Sequence, residues 1–258
     1  MSISFIITIF LIGFVGSFLS GMMGIGGAIV KYPMLLFIPA LLGFTAFSPH
    51  DVSGITAVEV FFASLSGVLA YRKSNLIVKP LVLYMGISVL VGSVIGGAGS
   101  SLLSESTVNI VYGVLAVMAA IMMFIPKKGL DDMPIDEITF NRYVASGAAF
   151  IVGLAAGIVG AGGAFILVPV MLVILKIPTR VTIATSLAIT LLSSVGSATG
   201  KIFTGQVPYG PALVMIVASI IAAPIGVKAS RRVNTKVLQG ILAVLIMASA
   251  VKIWWDIF

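Results

Sequence analysis

Hydrophobic residues run along this chain in long blocks separated by short polar turns. Apolar stretches from Ile3 to Met23, Ala28 to Phe47, Val52 to Tyr71, Pro80 to Ala98 and Val108 to Ile125 each approach the roughly 20 residues that a bilayer core requires. A polar segment follows, Lys127 to Asn141, in which Lys127, Lys128, Asp131, Asp132, Asp136 and Glu137 cluster around Pro134; such a segment does not stay in hydrocarbon. A second series then runs through Tyr143 to Val159, Ala164 to Leu175, Val181 to Gly200, Pro208 to Val227 and Val237 to Trp255. Helix is the expected state of these runs, because lipid offers backbone groups no hydrogen-bond partner and the runs are about twice as long as barrel strands. The expected fold is therefore an all-α polytopic membrane protein. Its expected organisation is a first membrane repeat over 1–126, a polar cytoplasmic linker over 127–141 and a second membrane repeat over 142–258.

The two series carry the same glycine-rich interruption. Gly24-Ile25-Gly26-Gly27-Ala28 with Pro33 and Gly160-Ala161-Gly162-Gly163-Ala164 with Pro169 superimpose at a single offset, which also places Gly21 on Gly157. Ile95-Gly96 matches Ile225-Gly226, and the segment from Gly113 matches that from Gly240, so the duplication extends past the motif. Ala164 to Leu175 makes about 18 Å of helix, short of a hydrocarbon core of about 30 Å. This predicts a re-entrant hairpin over Tyr143 to Leu175, with Ile3 to Phe47 as its counterpart, although the arms of the first are long enough to span. Gly92 and Gly96, Gly153 and Gly157, and Gly196 and Gly200 are spaced to let helix backbones approach closely.

Composition and charge sharpen this picture. With 60% hydrophobic and 9% charged residues and a mean hydropathy of +1.23, the chain cannot cover a water-facing surface, so lipid is its solvent. The net charge of +7 sits in short loops, where basic residues set membrane orientation and do not mark nucleic acid as a partner. If the halves are inverted, one side gathers all the Lys and Arg except Lys31, Lys201 and Lys252. Parallel halves divide the bases evenly. Inversion, with both termini outside and the linker inside, follows from that bias.

Broken helices at corresponding positions of two halves point to the binding site of a secondary transporter. Non-helical backbone at membrane depth is tolerated where it is buried in protein or lines a cavity, and a helix beginning there offers unpaired N–H groups to an anion. Gly24, Gly26, Gly27 and Ala28, with Gly160, Gly162, Gly163 and Ala164, are the candidate substrate-binding residues on this reasoning. Thr56, Thr185 and Ser186 join them from hydroxyl stripes formed by Ser53, Thr56, Glu59, Ala63 and Ser66 and by Thr182, Ser186, Thr190, Ser193 and Ser197, each spaced to share a helix face. Glu59 lies about 12 Å along its helix from Asp51, a depth at which an ionisable group faces a partner or a cavity. Lys31 is its candidate partner; Glu59 is the candidate for carrying a coupling proton and Lys31 for meeting an anion. A structural ion pair is the alternative, since the second half has Ile189 and Leu167 at these positions.

Other chemistries lack their parts. There is no Cys for disulfides, thiolate metal sites or nucleophilic catalysis, and one His, His50, placed in a loop beside Asp51, makes no metal cluster. Nucleophile-elbow, Walker and metalloprotease motifs are missing from the sequence. Catalytic residues, metal ligands and cofactors are thus expected to be none. The expected partners are a small anionic substrate, a coupling proton or sodium ion and the bilayer, with a homodimer left open.

The duplicated Gly-x-Gly-Gly-Ala hairpins, Ile55-Thr56, Ala184-Thr185-Ser186-Leu187 and Thr204-Gly205-Gln206-Val207 before Pro208 resemble the TauE/SafE family, also known as toluene sulfonate uptake permeases, over nearly the whole chain. The resemblance implies transport of sulfite, thiosulfate or organosulfonates such as sulfoacetate across a prokaryotic plasma (inner) membrane by a multi-pass protein. Gly54-Ile55-Thr56 departs from the family's usual Gly-Thr-Ser order. A passive anion channel and a non-transporting membrane scaffold or enzyme are the competing functional classes.

Overall fold

A computed structural model describes residues 1–24, 28–123 and 138–234, together with single helical positions between 237 and 255. The described elements are α-helices α1 (Ile3–Met23), α2 (Ala28–Leu41), α3 (Pro49–Tyr71), α4 (Lys79–Gly99), α5 (Glu105–Met123), α6 (Arg142–Val159), α7 (Ala164–Pro169), α8 (Thr179–Phe203) and α9 (Tyr209–Ser230). A 3₁₀ turn over Ser100–Leu102 follows α4, and a π turn over Val170–Ile174 extends α7. No strand occurs among the described residues. Seven of these helices are long and apolar enough to cross a membrane; α2 and the Ala164–Ile174 segment are not. The polar linker that the sequence marks lies largely outside the described residues, as do Gly26 and Gly27.

Local chemistry explains most boundaries. Ser48 caps α3, accepting from Asp51 N while Asp51 accepts in return from Ser48 N, and Pro49 opens the first turn, where its missing N–H costs no intrahelical bond. His50 therefore sits in the first turn of α3, not in a loop as its neighbouring Pro suggested. α2 stops at Leu41 and does not continue to Phe47. Gly43 adopts φ +79°, and Phe44 N donates to Pro39 O at 2.9 Å, the 6→1 bond that closes a helix on a left-handed residue. At 14 residues, α2 reaches only about 21 Å, so this arm is shorter than the sequence promised. α7 carries Pro169, and the bonds beyond it lengthen, with Leu175 N donating to Val170 O and Ile177 N to Met171 O.

The helices pack through glycine. A methyl group at Gly92 or Gly96 on α4 would strike the backbone of Phe150 or Leu154 on α6, and one at Gly153 or Gly157 would strike Val89 or Ser93. Both sets ascend together, so α4 and α6 run parallel. The same contact joins α1 to α9, where Gly13 meets Met215, Gly21 meets Ala223 and Gly226 meets Phe18. Gly196 and Gly200 of α8 lie against Ser93 and Gly97 of α4. Each of the three spaced glycine pairs thus serves close helix contact, as small residues do where lipid gives no drive for association.

α3 and α8 form the centre and are the most buried of the spanning helices. They run antiparallel, since Ser53 lies beside Lys201 and Gly67 beside Leu187. Large apolar side chains on the outer helices face away from the protein, among them Ile3, Leu83, Ile151 and Leu213, while Ser53, Thr56, Glu59, Thr182, Ser186, Thr190, Ser193 and Ser197 are buried. This polarity is the reverse of a water-soluble protein and fits a lipid solvent.

Candidate functional site

Each helix α1 and α6 ends on a left-handed glycine that closes its last turn. Gly24 has φ +72° and Gly160 φ +73°, conformations with little steric cost only for glycine, and their N–H groups donate back to Ser20 O and to Ala156 O and Gly157 O. Gly162 and Gly163 also take positive φ, +63° and +72°. α2 then begins at Ala28 and α7 at Ala164, as the motif predicts. Both elbows press on the central helices at related places. A methyl at Gly24 would meet Ile183 O at 2.5 Å, and one at Gly160 would strike Ser53 O. Gly162 reaches furthest in, where an added Cβ would stand 2.7 Å from Val60 Cγ1 and 2.9 Å from Thr190 Cγ2. It is therefore wedged between α3 and α8 where they cross. Tyr112 of α5 ties the two short helices together, stacking on Tyr32 of α2 at 4.5 Å and packing on Phe165 of α7 at 6.1 Å. Its hydroxyl donates to Ile29 O at the start of α2.

The candidate hydroxyls divide by what they bond. Thr56 donates to Val52 O at 2.8 Å within its own helix. Ser186 donates to Gly24 O at 2.8 Å and so braces the first elbow. Thr185 accepts from Val78 N and donates to Leu76 O, clamping the 72–78 turn to α8. Three other buried hydroxyls, Ser20, Thr190 and Ser193, have no hydrogen-bond partner among the described residues. Thr190 touches the second elbow, Ser193 lies one turn further along α8, and Ser20 supplies the carbonyl that closes the first elbow. A buried hydroxyl without a partner is costly and uncommon enough to require an explanation. Thr190 and Ser193 belong to the α8 stripe legible in the sequence, but only the packed structure separates their free hydroxyls from the bonded ones. Ser20 carries no sequence signal of its own.

Lys31 and Glu59 pair as their depths suggested. Lys31 Nζ bonds Glu59 Oε2, and both side chains are fully buried. Ser17 completes the group, donating to Glu59 Oε1 at 2.7 Å with its oxygen 3.5 Å from Lys31 Nζ. Gly16 makes room, since a methyl there would run into the Lys31 stem. The second half keeps the framework without the charge: Val152 and Leu167 both lie against Gly163. Among the described residues no group of His, Cys, Asp and Glu is arranged to hold a metal ion.

The family described as "Sulfite exporter TauE/SafE" matches residues 9–253. The chain belongs to the TauE/SafE family. It is 26% identical to the "Probable membrane transporter protein YunE" of Bacillus subtilis, with 99% of each chain covered. It is also 26% identical to a probable membrane transporter protein of Xylella fastidiosa, over 98% of this chain and 95% of that one. A probable membrane transporter protein of Methanocaldococcus jannaschii is 25% identical over 90% and 89% of the two chains. No solved structure matches it significantly. The TauE/SafE protein described above is thus an integral membrane transporter, and its family consists of transporters, not enzymes.

Proposed function

We propose that this transporter carries a small sulfur-containing anion, such as sulfite, thiosulfate or sulfoacetate, across a prokaryotic plasma membrane by alternating access between two inverted repeats. The observation that carries the site is the seating of Gly162 between Val60 and Thr190, with the unpartnered hydroxyls of Thr190 and Ser193 beside it. Oxyanion oxygens accept from hydroxyls, and the amides at the start of α7 are those a helix leaves without an intrahelical acceptor. Gly160, Gly162 and Gly163 bring backbone to this place, Ser186 and Thr56 hold the surrounding frame, and the free hydroxyls of Ser20, Thr190 and Ser193 supply donors.

Inversion is supported by the pairing of helices. α1 beside α9 and α4 beside α6 are each other's counterparts, while α3 and α8, themselves counterparts, run antiparallel. Two equivalent antiparallel helices are related by an axis across them, which in a membrane lies in its plane. The shortness of α2 and α7 supports elbows that turn back within the bilayer. On this reading the turns at 72–78 and 231–234 face the cytoplasm, with the 127–141 linker, and those at 100–104 and 204–207 face outward. Glu59 is the candidate proton carrier, and Lys31 holds its charge between turnovers.

The test is uptake into proteoliposomes of sulfite, thiosulfate, sulfoacetate, sulfate and a carboxylate. Saturable transport with accelerated exchange for a sulfur oxyanion is the expected result. Unsaturable current identifies a channel, and neither signal leaves a scaffold.

A further inference from the structure

A second polar cluster lies away from the elbows, where the 204–207 turn meets the end of α4 and the start of α3. Lys201, in the last turn of α8, is completely buried. Its Nζ donates to Ser53 Oγ at 2.7 Å and to Gln206 Oε1 at 2.8 Å. Both acceptors are neutral, and among the described residues the ion pair formed is that of Lys31 with Glu59, not one with Lys201. Other polar groups stand around the same amide oxygen. His50 Nδ1 faces Gln206 Oε1 at 3.1 Å and Ser100 Oγ lies 3.4 Å from it. The other His50 nitrogen faces the Leu103 carbonyl at 3.2 Å, a group that only accepts, so Nε2 carries a proton and Nδ1 donates as well only in the imidazolium form. Ser53 already donates to His50 O, so only its lone pairs remain for the lysine. Gln206 is itself tied through Nε2 to Thr204 Oγ1 at 2.8 Å.

Among the described residues the buried Lys201 amine thus meets only neutral oxygens. Burying a cation without a counter-charge is unfavourable, and packing does not demand it. At the related position on α3, Tyr71 bonds Ser230 at 3.2 Å, with Arg231 over its ring. An uncharged phenol therefore serves at one end of the central pair and a lysine at the other. Nearby carboxylates do not offset it. Asp51 is committed to Ser48, and Glu105 is exposed at the start of α5. The turn over the cluster reaches solvent, since Gln206, Thr204 and His50 are half-buried and Gly205 is exposed.

We propose that Lys201, His50, Ser53 and Gln206 form a second anion site at this mouth of the protein, distinct from the elbows, which captures a small oxyanion in place of the Gln206 side-chain carbonyl. The incoming anion takes over the Lys201 donors, and that of His50 Nδ1 when the ring is an imidazolium, and supplies the missing negative charge; Gln206 swings out with the turn that bears it. Its place as an entry site rests on the transport reading above, but binding is measurable without transport.

The test uses the purified full chain, with sulfate, thiosulfate and sulfite as probes read by thermal shift, and initial rates of uptake in proteoliposomes. Lys201→Met is expected to weaken binding of the stabilising probe by roughly tenfold or more and to raise the half-saturating concentration in parallel, with the maximal rate kept within about twofold. Gln206→Glu places a carboxylate against Lys201. It is expected to unfold at a higher temperature than the anion-free wild type and to respond to anion less than the wild type does, keeping only the part that the elbow site supplies. Should Lys201→Met fail to fold, Gln206→Glu decides by itself. Wild-type affinity in Lys201→Met, an undiminished anion response in Gln206→Glu, or no stabilisation of the wild type by any probe overturns the site. A wild type that binds a probe with these dependences but moves none overturns the transport reading and leaves the site standing.

Discussion

Lys31 and Glu59 show how one residue pair divides between stability and transport. Removing one member of a buried pair leaves an uncompensated charge, which costs about 3–5 kcal/mol, whereas replacing both with apolar groups is often neutral. Lys31→Met alone should therefore lower the unfolding temperature markedly in detergent, and Lys31→Met combined with Glu59→Leu should restore most of it. Uptake separates the roles. If the pair serves coupling, the double variant stays folded but loses proton-dependent transport, and Glu59→Gln changes the pH profile of uptake. An unchanged profile returns the pair to structure alone. The free hydroxyls give a parallel case: Ser193→Ala removes an unpartnered donor and should cost little stability, yet it should weaken transport of the substrate by about tenfold.

The elements matter through their interruptions. Gly162 combines a left-handed backbone with a tight seat between Val60 and Thr190, so Gly162→Val strains the elbow and drives a side chain into the proposed site. Uptake should fall to background while folded protein remains in the membrane; wild-type uptake removes this elbow from the mechanism. The glycine contact of α4 with α6 predicts a different failure. Gly96→Val separates two helices along much of their length and should reduce the yield of folded protein, visible by size-exclusion profile. The motif spacing made both elbows and the following helix starts legible. It did not show which stripe hydroxyls stay free, because some are bonded within their own helix, as Thr56 to Val52 O, and others by a carbonyl from a remote segment, as Ser186 by Gly24 O.

Across the whole molecule, the proposed equivalence of the two halves ties charge to topology. Cysteines replacing Ser104 and Arg232, both exposed, should label from opposite sides of the membrane in this Cys-free chain. Labelling from one side contradicts the inverted arrangement. Ser230 is unsuited to this purpose, because it is buried against Tyr71.

The sequence by itself determined the solvent, the helical state and the duplication. Long apolar runs leave helix as the one way to satisfy backbone groups within each run, and a shared glycine motif needs no contact to be read. It also suggested the Lys31–Glu59 pair, since deep charges of opposite sign seek each other. Only the tertiary structure decided that Gly162 wedges between two antiparallel helices and that, among the described residues, Ser20, Thr190 and Ser193 lack partners and Lys201 is buried without an opposing carboxylate. These are properties of distances between remote segments, and periodicity within a helix says which face a residue shares but not what the next helix brings to it.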